Sequence, residues 1–319
     1  MAKGYSYQPK NLNITKELPS EKPNLDPKEK YFIWHISGGL GKNVASTSLL
    51  KDVKEKYPDR KFIVVASWPE VFLNNPNIDR VYNISALSYF YEDYIEGKDV
   101  IMCSHEPYSQ TGHITKQKHL IHNWCDLLDI EYKGQQPIIL ANYAQNIYLS
   151  KWDRPKPIMV LQTGGGPMQN QKYPYSWTRD IPPEIAQEIV KKYSQQYHII
   201  QISRPGGYKL ENTERLDQPL SNMELFSILF KSEKRVLIDS CLQHAAAALK
   251  LKSTVLWVGT SPKVFGYEGH TNVVAKTTKR ANQLISSYMF DYQFENNVHE
   301  CPYTDLGQIF NINDIFNSI

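Results

Sequence analysis

The sequence has few cysteines, little net charge and no long apolar run. Its four cysteines form no Cys-x-x-Cys pair, which argues against a disulfide framework and against a zinc site of that type. The net charge of +3 at pH 7 is too small to indicate nucleic-acid binding. No apolar run approaches membrane-spanning length, and the first ten residues lack the apolar segment of a signal peptide. We therefore expect reduced thiols and a cytoplasmic location.

With 319 residues, the chain is long for a single hydrophobic core, so two domains of ordinary size are expected. Periodicity breaks around residues 151–157, where two prolines and four charged residues make the best interdomain linker. We place an extended arm at residues 1–30, a first domain at residues 31–152, and a second domain with a C-terminal helix at residues 153–319.

The stretch from Val236 to Gly259 predicts a strand, a sharp turn, a helix and a second strand. An apolar run ends at Asp239 and Ser240, apolar residues then follow a helical period, and a β-branched run closes the unit. Such a unit is typical of a parallel sheet with a right-handed crossover connection.

The turn before this helix carries candidate ligand-binding groups. Ser240 and Gln243 form a capping-box pattern, so the helix is predicted to begin at Cys241 with its N–H groups at the carboxyl edge of the sheet. Open α/β sheets bind phosphates at such helix ends. His244 lies one turn into the helix, within reach of a ligand held there. The alternative is that Asp239 and Ser240 only cap the helix and that His244 is a packed residue.

A glycine-rich loop, Ser37 to Asn43, follows the first predicted strand. Gly39 and Gly41 suit it to close contact with a ligand. The loop is not a Walker A motif, because Ile36 stands at the first glycine position. It also lacks the dinucleotide fingerprint, because Val44 stands at the third glycine position, so an NAD(P)-linked oxidoreductase is disfavoured. The alternative is a turn that serves backbone geometry alone.

A second glycine-rich loop, Thr163 to Gly166, opens the second half of the chain. It follows the predicted strand Ile158 to Gln162, and a strand that runs into three glycines favours contact with a phosphate or nucleotide. Its alternative is a flexible loop. Arg204 comes at the end of a further predicted strand and is counted among the candidate ligand contacts.

Candidate proton-handling groups follow the predicted strand Asp99 to Cys103. The chain leaves the sheet there at its carboxyl edge, so His105, Glu106 and His113 are expected to face the same cleft as the first glycine loop. The alternative for each is a solvated loop residue. The histidines of this region lack a carboxylate or cysteine pattern beside them, so no metal site is predicted.

Two separated stretches resemble the ADP-heptose:lipopolysaccharide heptosyltransferase family. Residues Gly39 to Leu50, with Asn75 to Val81, are similar to the N-terminal domain of that family. Residues Asp239 to Leu249, with Gly259 to Pro262, are similar to its donor-binding motif. The resemblance implies an α/β fold of the GT-B type, in which two Rossmann-like domains with parallel sheets face each other across a cleft.

The resemblance also implies an activity and a set of ligand contacts. Enzymes of this family move a sugar from a nucleoside diphosphate-sugar to an acceptor with inversion, and they need neither a metal ion nor a further cofactor. The implied donor contacts, taken together with the loop candidates above, are Gly39, Gly41, Thr163, Gly164, Gly165, Arg204, Asp239, Ser240, Cys241, Leu242 and His244.

Two positions depart from the family pattern. Lys42 stands where the family has a carboxylate that serves as general base, and Cys241 stands where it has a glycine. Because lysine is cationic at neutral pH, Lys42 is expected to hold a phosphate rather than to accept a proton. The base is then Glu106, His105 or His113, or the acceptor differs, or catalysis has been lost.

The acceptor and the class of protein stay open at this stage. A lipopolysaccharide-type saccharide is the first choice of acceptor, and a nucleotide-sugar-binding protein without catalysis is the competing class. The second acceptor is a hydroxymethylated pyrimidine in the DNA of a virus-infected cell, with phosphates contacted by Lys3, Lys10, Lys16, Lys28, Lys30 and Arg60. The oligomeric state is not indicated.

Overall fold

The computed structural model of the chain describes residues 29–140, 148–165, 175–216, 220–276 and 301–319. Almost all of the predicted N-terminal arm lies outside these residues, and so does Gly166 of the second glycine loop. Within them, no helix combines the length and the apolar character that crossing a membrane requires.

The first half of the chain forms a four-stranded parallel sheet in the order β3-β2-β1-β4. The central strands are continuous apolar runs, which is typical of a parallel sheet covered by helices on both faces. The strands are β1 Lys30–Ile36, β2 Lys61–Ala66, β3 Arg80–Asn83 and β4 Asp99–Cys103, and the helices are α1 Leu40–Ser46, α2 Leu50–Lys56, α3 Phe90–Tyr94, α4 Thr111–Ile114 and α5 Leu120–Leu128.

The second half forms a six-stranded parallel sheet in the order β10-β9-β8-β5-β6-β7. The strands are β5 Ile158–Gln162, β6 His198–Ile202, β7 Glu214–Leu216, β8 Lys234–Ile238, β9 Thr254–Trp257 and β10 Thr271–Val274. The helices are α6 Pro183–Tyr193, α7 Asn222–Lys231, α8 Cys241–Ala248, α9 Pro262–Phe265 and α10 Ile312–Ser318. Short 3-10 helices lie at Thr47–Leu49, Pro69–Phe72, Pro107–Ser109, Ser150–Trp152 and Leu306–Gln308.

The strands expected from apolar runs are present, within two residues of their predicted ends. Strands β7 and β10 escape prediction because they contain few apolar residues, one in β7 and two in β10. The predicted domain boundary at residues 152 and 153 falls between the two sheets. Beside it, the Trp152 indole donates to Ser227 Oγ at 2.7 Å, so the linker is anchored to the second half.

A continuous apolar core joins the two halves of the chain. Trp34 of β1, Val44 of α1, Leu242 of α8 and Trp257 of β9 belong to one cluster of buried side chains, and each is at most 1% exposed. Because both sheets contribute to this cluster, α1 and α8 pack against each other as helices do inside a single core.

Gly41, in the first turn of α1, lies directly against the first turn of α8. A Cβ atom at this position would be 2.8 Å from Cδ2 of His244 and 3.3 Å from Cα of Cys241. No side chain fits there without a shift of a buried ring. The two helices therefore approach this closely because residue 41 is glycine.

We expect Gly41→Ala to destabilise the protein, because the added methyl group would push on the buried His244 ring. Overpacking of this kind costs about 1–3 kcal/mol, whereas helix propensity alone would favour alanine by about 1 kcal/mol. Urea unfolding beside Gly269→Ala gives the comparison, since a Cβ at Gly269 meets no atom within 4 Å. An unfolding free energy for Gly41→Ala at or above that of the Gly269→Ala control would contradict the close contact.

Candidate functional site

Helix α8 begins at Cys241, as predicted, but the predicted capping box does not form. Ser240 is the N-cap in an extended conformation, and its hydroxyl makes no capping hydrogen bond. Gln243 is fully buried, and its side-chain amide donates to the carbonyl of Phe265 at 3.0 Å. The capping-box interpretation is therefore wrong, because a partner from another element holds Gln243 away from the N-cap. The Ser240 hydroxyl therefore accepts no hydrogen bond from the N–H groups of the first turn of α8.

Both glycine-rich loops touch this first turn of α8. The loop after β1 contacts it through Gly41, and the loop after β5 contacts it through Gly165, where a Cβ would be 2.9 Å from Oγ of Ser240. Each loop leaves its sheet at the carboxyl end of a parallel strand, and so does the turn before α8. The two sheets thus present their carboxyl edges to one place, which is where α/β proteins bind ligands.

A buried ion pair supports the second glycine loop. Nη1 of Arg204 lies 2.9 Å from Oδ1 of Asp180 and donates to the carbonyl of Gly165 at 3.1 Å. Burial raises the pKa of the Asp180 carboxyl, and the Arg204 guanidinium opposes that shift. Thr163 is fully buried and accepts a hydrogen bond from Gln201 at 2.9 Å. Arg204 and Thr163 therefore connect the loop to other residues of the second half of the chain.

A second guanidinium, that of Arg179, is buried beside the same pair and is 1% exposed. Burial raises the pKa of the Asp180 carboxyl and of the Cys241 thiol, and the charge of Arg179 opposes both shifts. Two cationic side chains thus lie behind the glycine loop and the start of α8. An anionic ligand at this edge would be attracted by that charge.

Asp239 and Leu242 support the start of α8. Thr260 donates to the Asp239 carboxylate at 2.5 Å, which joins the turn after β8 to the turn after β9. Leu242 is 1% exposed and packs in the core that joins the two halves. Both residues therefore keep the helix end at the edge of the sheet.

His244 is packed at the boundary between the two halves. Its Nδ1 atom lies 2.7 Å from the hydroxyl of Tyr267, and its ring faces Gly41. Burial lowers the pKa of His244 to about 3, so the ring is neutral at pH 7. A neutral histidine here contributes hydrogen bonds rather than positive charge.

Lys42 and Glu106 form an ion pair between the first glycine loop and the loop after β4. The Lys42 side chain is 7% exposed and that of Glu106 is 40% exposed, so a buried ammonium holds a carboxylate that is open to solvent. The second carboxylate oxygen accepts from the backbone N–H of Tyr108 at 3.3 Å. A carboxylate from 64 residues further along the chain thus lies beside position 42.

The two histidine candidates lie in different surroundings. His105 is exposed, and its Nδ1 atom is 3.6 Å from Sγ of Cys103. His113 is 1% exposed and contacts the rings of Tyr108 and Phe265, at centroid distances of 4.9 and 5.6 Å. The alternative of a solvated loop residue is therefore wrong for His113, because α4 turns its ring into a cluster of aromatic side chains.

Three contacts of the site carry no signal in the sequence. Asp180 pairs with an arginine 24 residues away, and Tyr267 meets a histidine 23 residues away. The third is the pairing of Lys42 with Glu106. Partners at such separations share no helical turn, so periodicity cannot reveal them.

Stability is expected to fall as the pH drops below about 6.5, because buried histidines are held neutral. Burial lowers the pKa of His119 to about 4 and that of His244 to about 3. Between these values and the ordinary histidine pKa, the unfolded chain binds protons that the folded chain excludes. Unfolding is therefore favoured as pH falls, by up to about 1.4 kcal/mol per pH unit for each histidine.

The variant His119→Asn tests how much of this loss of stability at lower pH comes from His119. Nδ1 of His119 accepts from the N–H of Ile121 at 3.2 Å at the start of α5, and asparagine retains that cap without titrating. In urea unfolding between about pH 7 and pH 5, above the range where carboxyl groups ordinarily titrate, the variant should lose less stability than the wild type. Equal losses would show that His119 is not held neutral by burial.

The fold of this chain is similar to those of several solved structures. No protein-family model matches the chain, and no curated protein sequence does so. A glycosyl transferase family 9 structure from Veillonella parvula is 14% identical, covers 92% of this chain and 97% of its own, and has a TM-score of 0.62. E. coli ADP-heptose LPS heptosyltransferase II is 13% identical, with 77% and 91% covered and a TM-score of 0.57. E. coli heptosyltransferase WaaC with ADP is 15% identical, with 80% and 95% covered and a TM-score of 0.51.

These three structures are covered over more than nine-tenths of their own length. The similarity therefore extends over most of this chain, and identities this low carry no more than the fold. The chain has the two-domain α/β architecture of the GT-B type that these glycosyltransferases adopt.

Proposed function

We propose that the chain is a glycosyltransferase that moves a sugar from a nucleoside diphosphate-sugar to the hydroxyl group of a saccharide, with inversion and without a metal ion. The contact of Gly41 with the first turn of α8 carries the proposal. Because Lys42 directly follows Gly41, the Lys42–Glu106 pair lies beside the helix end. A proton-accepting carboxylate and an anion-binding helix end are thus neighbours.

The donor diphosphate is proposed to bind at the start of α8. First-turn N–H groups and the helix dipole favour an anion, and Gly165 allows the loop after β5 to approach closely. Arg179 and Arg204 place buried positive charge behind this point. Among the similar structures, E. coli heptosyltransferase WaaC holds ADP, which supports a nucleoside diphosphate as the ligand class.

Glu106 is proposed as the general base. Its carboxylate takes the proton of the acceptor hydroxyl while that oxygen bonds to the anomeric carbon of the donor. The bond from this carbon to the diphosphate breaks, and the electron pair leaves with the diphosphate. Attack from the opposite face inverts the anomeric centre. Lys42 positions the carboxylate, and the start of α8 stabilises the charge that develops on the leaving group.

A saccharide acceptor is preferred to DNA. Lys30 pairs with Asp59 at 2.7 Å and Arg60 pairs with Asp99 at 3.0 Å, so these two cations are balanced within the protein. The name of the E. coli enzyme refers to LPS, which supports a saccharide. The remaining basic residues of the DNA hypothesis lie outside the described residues, and they are Lys3, Lys10, Lys16 and Lys28.

Nucleoside diphosphates should stabilise the folded protein. A ligand at 100 times its Kd raises the free energy of unfolding by about 2.7 kcal/mol, which a thermal-shift screen of ADP, UDP, GDP and their sugars would detect. Gly165→Ala should weaken the shift, because its Cβ would meet Ser240 Oγ, and Gly269→Ala should retain it. Absence of a shift with every nucleotide tested would refute the donor site.

Glu106→Gln should lower sugar transfer by about 10²–10⁴-fold, the scale of a lost general base. The amide has the size of the carboxylate and can still accept from the Tyr108 N–H, so the nucleotide-induced shift should persist. Release of nucleoside diphosphate in the presence of a panel of saccharides measures the reaction. His105→Asn is the matched control and should retain transfer.

Other outcomes of this experiment would reassign the chemistry. Loss of transfer in His105→Asn, with activity kept in Glu106→Gln, would make the histidine the base. Nucleotide binding without turnover on any saccharide would instead support a binding protein, the alternative that Lys42 suggests.

A further inference from the structure

Trp68 is the exposed tryptophan of the chain. The sequence has six tryptophans; Trp68 is 37% exposed, and the other five are at most 7% exposed. It follows β2 at the carboxyl edge of the first sheet, immediately before the 3-10 helix Pro69–Phe72. Its indole N–H donates to the carbonyl of Gly38 at 3.0 Å. The ring is therefore fixed against the first glycine loop with part of its surface open.

The segment that carries Trp68 is held on two sides. The N–H of Gly38, which has a φ of 96°, donates to Oγ of Ser67 at 3.1 Å. The carboxylate of Glu70 accepts from the side-chain amide of Asn222, in α7 of the second half, at 2.5 Å. A ring held in this way is a preformed surface, so a ligand need not order it on binding.

A second exposed ring borders the same loop. Tyr108 is 37% exposed, and its ring centroid lies 5.6 Å from Nζ of Lys42. That ammonium is in turn 3.5 Å from where a Cβ of Gly38 would be, and the carbonyl of Gly38 binds Trp68. Both rings thus lie next to the Lys42–Glu106 pair.

The charged groups named beside these two rings carry no excess positive charge. Lys42 and Glu106 neutralise each other, and the Glu70 carboxylate keeps its negative charge while it accepts a hydrogen bond from the neutral amide of Asn222. Aromatic faces beside a few fixed polar groups are typical of sites for ligands with an apolar face and a polar edge. A phosphorylated ligand would instead call for charge-assisted hydrogen bonds from cations that lack a carboxylate partner.

We infer that Trp68 and Tyr108 form the acceptor subsite, and that the acceptor presents an uncharged sugar ring to it. The inference rests on the proposed function, in which Glu106 is the base, and it adds the substrate class and the side chains that select it. The C–H face of the sugar stacks on Trp68, and a hydroxyl group at the edge of the sugar meets the Glu106 carboxylate.

Quenching of tryptophan fluorescence tests the subsite without turnover. Acrylamide reaches an exposed indole better than a buried one, so Trp68→Phe should remove most of the quenchable emission. Neutral methyl pyranosides and disaccharides of glucose, galactose and mannose, added up to their solubility limits, should protect Trp68 from acrylamide. Stronger protection by the corresponding sugar phosphates, or no protection by any neutral sugar, would overturn the inference.

Transfer kinetics separate stacking from the indole hydrogen bond. Trp68→Phe and Trp68→Leu both lose the bond to Gly38, but phenylalanine keeps a flat aromatic face. For the acceptor KM we expect a rise of about tenfold in Trp68→Leu, the scale of one lost stacking ring, and of less than about threefold in Trp68→Phe. Phe230→Leu, which removes a 51% exposed ring on α7, is the control.

Measurement of nucleotide binding distinguishes a failure of this inference from a failure of the proposed function. Both Trp68 variants should retain the nucleotide-induced rise in Tm, because the donor site is formed by the second sheet. Equal acceptor KM values in the Phe and Leu variants would overturn the stacking subsite and leave the glycosyltransferase proposal intact. Sugar protection of Trp68 in a protein that binds no nucleotide would overturn the proposed function and leave the sugar-binding surface standing.

Discussion

The close approach of α1 to α8 at Gly41 determines the geometry around it. With only hydrogen at residue 41, the first turns of the two helices touch, and apolar residues such as Val44 and Ala245 close the rest of the contact. The carboxyl edges of two separate sheets are thereby joined. Loops that follow β1, β4, β5 and β8 then meet at one place, although they come from residues far apart in the chain.

Two ion pairs lie around that contact, between Lys42 and Glu106 and between Arg204 and Asp180. A buried charge without a partner is strongly unfavourable, so Glu106 cannot move away from Lys42 without leaving a buried ammonium unpaired. The carboxylate is thus held at the cleft by the stability of the fold itself. On the other side, the bonds of Arg204 to Asp180 and to the Gly165 carbonyl hold the glycine loop against the start of α8.

The sequence predicts those parts of the structure that depend on neighbours along the chain. Buried parallel strands are continuous apolar runs and are evident in the sequence, whereas the short strands β7 and β10 contain only one and two apolar residues. The start of α8 at Cys241 is predicted correctly. The capping box predicted at this helix start does not form, because the side chain of Gln243 donates instead to the carbonyl of Phe265 in another element.

Position 42 bears directly on the proposed reaction, because it differs from the motif that this loop resembles. The related motif has a lone carboxylate there, and this chain has an ammonium together with the carboxylate of Glu106. A lone negative charge beside a diphosphate raises its energy by about 1 kcal/mol at 4 Å in water, and by more in a partly buried site. In the proposed reaction, the Glu106 carboxylate of this ion pair accepts the proton of the acceptor hydroxyl, and Lys42 offsets its negative charge. On that proposal, lysine at position 42 favours departure of the diphosphate while the site retains a carboxylate that can act as base.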